Sequence, residues 1–137
     1  MHHASPHLNE IELFETLCRE HRFADALPVI EELVSRAPHI DTSWFNYGYV
    51  LSSLGRQLEA AEAYLKAAKL SPEKRGLFSA CTTLAQAQAA SRLLEVFAEQ
   101  LEEDPRMLSN FKGGELAQFW QLPAFKDLEA KYGAQEQ

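Results

Sequence analysis

The chain has 137 residues, of which 46% are hydrophobic and 24% charged, with a formal net charge of −7. That length suits one domain whose core needs no disulfide or metal, and no apolar run approaches the ~18 residues of a membrane span. The acid excess has no Lys/Arg cluster set against it, which argues against a phosphate backbone as partner.

At the start, "MHHASPHLNE" lacks a basic stretch followed by an apolar one, so no secretory signal is expected. His2, His3 and His7 cluster there, and His21 and His39 stand alone. Without a carboxylate at fixed spacing they read as solvated side chains, and no metal site is expected. Cys18 and Cys81 show no C-x-x-C spacing and are expected as reduced thiols of a cytoplasmic protein. His21 and Arg22 follow Cys18 on its helical face, but Glu15 opposes them, so Cys18 reads as an ordinary thiol.

The chain is internally periodic. A shift of 34 carries Leu17 onto Leu51, Ala26 onto Ala60, Ile30 onto Tyr64, Val34 onto Ala68 and Pro38 onto Pro72. A shift of 33 then carries Phe45 onto Phe78, Leu51 onto Leu84, Tyr64 onto Phe97 and Pro72 onto Pro105. Three units follow, residues 7–38, 41–72 and 74–105, and the residue lost from the third is placed near "AQAQAAS". In the second unit Trp44, Tyr47, Gly48, Leu51 and Leu54 recur at helical steps. Gly55 breaks the pattern, Ala60, Ala61, Tyr64, Ala67 and Ala68 form a second stripe, and Pro72 follows its end. Small residues at Gly48, Ala60 and Ala67 let two helices approach closely. The predicted fold is all-α.

After Pro105, residues 106–137 carry a separate apolar set: Phe111, Leu116, Phe119, Trp120, Leu122, Phe125, Leu128 and Tyr132. Gly113-Gly114 marks a break, Pro123 suits the first turn of a last helix, Gly133 its end, and "AQEQ" a frayed tail. A stack of repeats needs a terminal cap, and this segment is expected to supply it.

Trp44, Tyr47-Gly48, Leu51, Ala60, Tyr64, Ala67 and Pro72 together resemble the tetratricopeptide repeat family. The flanking units are degenerate, with Phe14 and Cys81 where the second has Gly48, and Leu93 where it has Ala60. The resemblance implies a right-handed solenoid of three helical hairpins with C-terminal capping helices. It also implies that the first helices of successive units line a concave groove.

"TSWFNYGYVLSSLG", residues 42–55, carries no charge, and neither does the first helix of the third unit, residues 76–91. The acids gather on the second helices instead: Asp25, Glu31 and Glu32, then Glu59 and Glu62, then Glu95, Glu99, Glu102 and Glu103. On the helix of residues 42–55, Phe45, Tyr49 and Ser52 form a stripe displaced by about 100° from the core stripe. With the family's geometry this places Phe45, Asn46, Tyr49 and Ser52, Phe78, Thr82 and Ala85, and Ile11, Glu15 and Cys18 along a neutral, partly aromatic groove. Some members of the family grip C-terminal carboxylates with groove lysines, arginines and asparagines. Here Asn46 is the one residue of that kind in the second and third groove helices, so such a clamp is not expected.

The chain is thus expected to be a single domain that binds an unidentified peptide or protein segment in that groove. Two alternatives stand beside this one. The protein resembles, in size, acidity and repeat number, the chaperones of type III secretion translocators. It could also self-associate as a homodimeric scaffold, or fill the groove with its own residues 108–132. There is no G-x-S-x-G, no phosphate-cradling glycine loop and no H-E-x-x-H, so neither an enzyme nor a cofactor is expected.

Overall fold

A computed structural model describes the backbone of residues 6–136 and the side chains of residues 9–133. His2 and His3, and the side chain of His7, lie outside these. Among the described residues all regular structure is helical: α1 (Pro6–Arg19), α2 (Phe23–Arg36), α3 (Asp41–Ser53), α4 (Gln57–Leu70), α5 (Leu77–Gln86), α6 (Ala90–Glu103) and α7 (Pro123–Glu136). Two 3₁₀ segments, Pro105–Phe111 and Gly114–Gln121, lie between α6 and α7. No helix among the described residues is long and apolar enough to cross a membrane.

The repeat is written in the backbone as well as in the side chains. Each of the pairs α1/α2, α3/α4 and α5/α6 is joined by three residues whose middle member has left-handed φ: His21 (58°), Gly55 (80°) and Gln88 (56°). The same pair of hydrogen bonds closes each turn. Arg22 N–H donates to Leu17 O (2.8 Å), Arg56 to Leu51 (2.9 Å) and Ala89 to Leu84 (2.9 Å). His21, Gly55 and Gln88 each donate to the carbonyl three residues back, all at 3.0 Å. These are Schellman closures, which satisfy carbonyls that a helix end would otherwise leave open.

The three turns have equal length, so the residue lost from the third unit is not in "AQAQAAS". It is lost from the connector before α5, where Pro72 to Phe78 is one step shorter than Pro38 to Phe45. That tighter path uses two left-handed residues, Lys74 (φ 56°) and Gly76 (φ 98°). A Cβ on Gly76 would also lie 2.7 Å from the Tyr64 carbonyl oxygen.

The described residues fall into two compact units, one ending at Ala80 and the other beginning at Cys81 within α5. In the first unit, neighbouring helices from α1 to α4 pack on one another. Phe14, Leu17, Ala26, Ile30, Leu33 and Val50 form one buried cluster, and Leu51, Ala60, Ala63, Tyr64 and Ala80 a second. Ala60 is fully buried where α3 and α4 meet. Ala60→Leu should therefore overpack that contact and cost about 1–3 kcal/mol, read from the midpoint of a urea titration.

In the second unit Phe97 of α6 meets three other rings. Phe111 stacks on it at 4.5 Å, Trp120 at 5.4 Å, and Phe125 meets it edge-on at 5.9 Å. The Trp120 indole Nε1–H donates to Phe111 O at 2.9 Å, which satisfies the one polar atom this cluster buries on the ring. The C-terminal segment thus packs on the apolar face of α6. α7 starts at Pro123 as expected but runs through Gly133 to Glu136, because Gly133 keeps a helical φ. "AQEQ" therefore begins as helix. Leu54 of the helical recurrence and Leu122 of the C-terminal apolar set are exposed.

Candidate functional site

The α3 helix is fixed in rotation by its large residues. Trp44 Nε1–H donates to Pro38 O (2.8 Å), and the Lys66 ammonium lies 5.9 Å from the Trp44 ring. Gly48 leaves room for the Tyr64 ring of α4, against which a Cβ at position 48 would stand at 2.8–2.9 Å. With that side of α3 held against α4, Asn46 and Tyr49 are turned toward α1. There they line an open groove of about 420 Å³ together with Phe14, Glu15, Cys18 and Arg19.

The structure places Glu15, Asn46 and Tyr49 of the expected site in this one groove, with Cys18 beside them. The other expected residues are placed differently. Ile11 and Phe78 are exposed at 43% and 44%, respectively, but neither lines this groove. Ser52 is half-buried and donates to Gln57 Oε1 (3.2 Å) at the turn. Thr82 is half-buried and belongs to the second unit. Ala85 is buried beside Cys81 and Leu84, so it does not line a surface.

Phe45, expected along the groove, is half-buried. Its ring instead meets Tyr64 of α4 edge-on at 5.1 Å and approaches Gly76. The reason is Gly48: without a side chain there, Tyr64 reaches α3 and offers Phe45 an aromatic face. Of the expected α3 residues, Asn46 and Tyr49 line this groove, and Phe45 and Ser52 do not.

Arg19 was missed. The charge-free first helices of the second and third units carry no cation, whereas this one comes from the last turn of α1. Helical phase could have found it, since Glu15, Cys18 and Arg19 share a face.

The groove has an apolar floor and a mixed polar rim. Phe14 is buried; Tyr49 is exposed at 43%, and its ring rests edge-on against Phe23 at 5.6 Å. Burial pushes the Cys18 thiol up, and pushes that of Cys81 up to about 12. Both are free cysteines, and a raised pKa disfavours the nucleophilic thiolate. The acids of the second helices are exposed as expected, and several are paired: Asp25 with Arg22, Glu32 with Arg36, Glu59 with Arg56 and Glu95 with Arg92. No group of three or more His, Cys, Asp or Glu side chains able to hold a metal occurs among the described residues. No protein-family model matches the chain, and no curated protein matches it.

Proposed function

We propose that this protein is a protein–protein interaction module. In this reading its three hairpins form a short right-handed tetratricopeptide-like stack, and a peptide or protein segment binds across α1 and α3. The observation that carries it is the groove itself. It joins a buried Phe14 floor to an exposed Tyr49 and a half-buried Asn46 whose amide makes no hydrogen bond among the described residues. A cleft with apolar walls and a few convergent polar groups is the usual form of a recognition site. The equal turns after α1, α3 and α5 support the stacked-hairpin architecture.

The reading with the groove filled in cis by residues 108–132 is less well supported. The rings best suited to fill it are taken up in their own unit, Trp120 on Phe97 and Phe119 on Phe125. The test is to pan a displayed peptide library on the native protein and map the selected peptides by NMR. They should shift the Asn46 and Tyr49 resonances. Tyr49→Glu should weaken them by about tenfold or more, as expected for a charge set into an apolar contact, while leaving the helical circular dichroism unchanged. Peptides that map to another surface, or that bind Tyr49→Glu equally well, would remove this assignment.

A further inference from the structure

The open ends of the first two hairpins are closed by different chemistry. A shift of 34 carries Glu10 onto Trp44 and Arg36 onto Leu70. In the second hairpin the Trp44 indole donates to Pro38 O (2.8 Å) and lies under the Lys66 ammonium. In the first, the Glu10 carboxylate takes the place of the indole. Its Oε1 accepts from Arg36 Nη1 at 2.5 Å, and Arg36 Nε donates in turn to Glu32 Oε1 at 3.0 Å. Glu10 Oε2 is buried and has no hydrogen-bond partner among the described residues. A carboxylate oxygen that loses its water without gaining a donor weakens the contact it belongs to. An ion pair taken partly out of water also carries a desolvation cost, which its own attraction repays only in part.

The rest of α1 is lightly held as well. Among the described residues it buries only Phe14 and Leu17, against six side chains in α4. It packs chiefly on α2, whereas α2 packs on both α1 and α3. Its turn into α2 runs through His21, an ordinary side chain at left-handed φ (58°). Elements with few buried apolar contacts are the ones that open locally. Four of the six groove residues, Phe14, Glu15, Cys18 and Arg19, ride on this helix.

We infer that α1 is a strap over α2, caught near its free end by Glu10 and Arg36, and that it lifts as a unit while α2, α3 and α4 stay folded. Lifting takes away one wall of the groove. A ligand of the groove then meets a complete site only in the closed state, and its apparent affinity is reduced by the closed fraction. The opening itself needs no ligand, so it stands apart from the reading of the groove as a recognition site.

Amide hydrogen exchange of the full chain, read residue by residue by NMR, tests this. Amides of residues 12–19 should exchange at least about a hundredfold faster than those in the middle of α4, once intrinsic rates are divided out. Their exchange should also depend less steeply on urea, because less surface is exposed. Glu10→Ala leaves Arg36 with Glu32 alone and should speed α1 exchange by a further factor of about ten, with α4 unchanged. The decisive variant is Glu10→Leu combined with Arg36→Leu, which brings in the residue types that the repeat carries at Leu77 and Leu70. It should slow α1 exchange by about tenfold or more, since apolar side chains of similar volume commonly stabilise relative to a desolvated ion pair. If α1 and α4 exchange at one rate with one urea dependence, the first unit opens as a whole and there is no strap. If α1 opens alone but the double variant does not slow it, Glu10 and Arg36 are not the catch and the inference fails. Either failure leaves the recognition reading standing, because no ligand enters the measurement.

Discussion

Phe97→Ala should lower the stability of the second unit by about 3–5 kcal/mol, the range for truncating a fully enclosed aromatic ring. Phe97 is wholly buried and touches three other rings, those of Phe111, Trp120 and Phe125. Each such ring pair adds about 0.5–1.5 kcal/mol beyond the apolar area it covers. Removing Phe97 therefore does more than leave a hole. It takes away the surface on which the C-terminal segment lies, and Phe111 and Trp120 each lose the ring they stack on. Phe97→Leu keeps most of the volume and should cost less than about 1.5 kcal/mol. Urea titrations followed by circular dichroism and by tryptophan emission check both variants. Equal losses for alanine and leucine would mean that the C-terminal segment is held by something other than this ring.

The same ring shows how far the sequence could be read. Tyr64 and Phe97 align at a shift of 33, and both are buried, so periodicity located the core position of each unit. Periodicity also brought out the helix pairs to within a few residues, because burial repeats wherever the packing repeats. It was weaker at the turns. Gly55 announces a left-handed residue, but His21 and Gln88 occupy the equivalent places with ordinary side chains. L-residues adopt that conformation at a cost of roughly 1–2 kcal/mol, which the closing hydrogen bonds and the packing around them offset, so composition gave no sign of it. The groove was legible in part for a related reason. Knowing that Glu15, Asn46 and Tyr49 lie outside the core stripe needs only helical spacing. Knowing that Phe45 turns back to Tyr64 while Arg19 joins the rim needs the rotation of α3 about its axis. That rotation is set by how Tyr64 fills the space at Gly48, a contact between residues sixteen positions apart.

The contact between Gly48 and Tyr64 can be tested by exchanging their volumes. A Cβ on Gly48 would lie 2.8–2.9 Å from the Cγ, Cδ1 and Cε1 atoms of the Tyr64 ring, closer than real atoms approach. The ring cannot easily yield, because Tyr64 is buried and Phe45 meets it edge-on at 5.1 Å. Gly48→Leu should therefore cost about 3 kcal/mol or more through overpacking, even though leucine favours a helix by close to 1 kcal/mol over glycine. Tyr64→Ala alone should cost about 3–5 kcal/mol through the cavity it leaves. In the double variant the leucine grows into the space the tyrosine ring vacates. Its cost should fall short of the sum of the two single costs by more than about 1 kcal/mol, well outside the additivity of independent sites. The measurement is a set of four denaturant titrations closing a double-mutant cycle. Strictly additive costs would mean that Tyr64 does not set the size limit at position 48. The rotation of α3, and with it the placement of Asn46 and Tyr49 on the groove, would then have to come from Trp44 and its hydrogen bond to Pro38 alone.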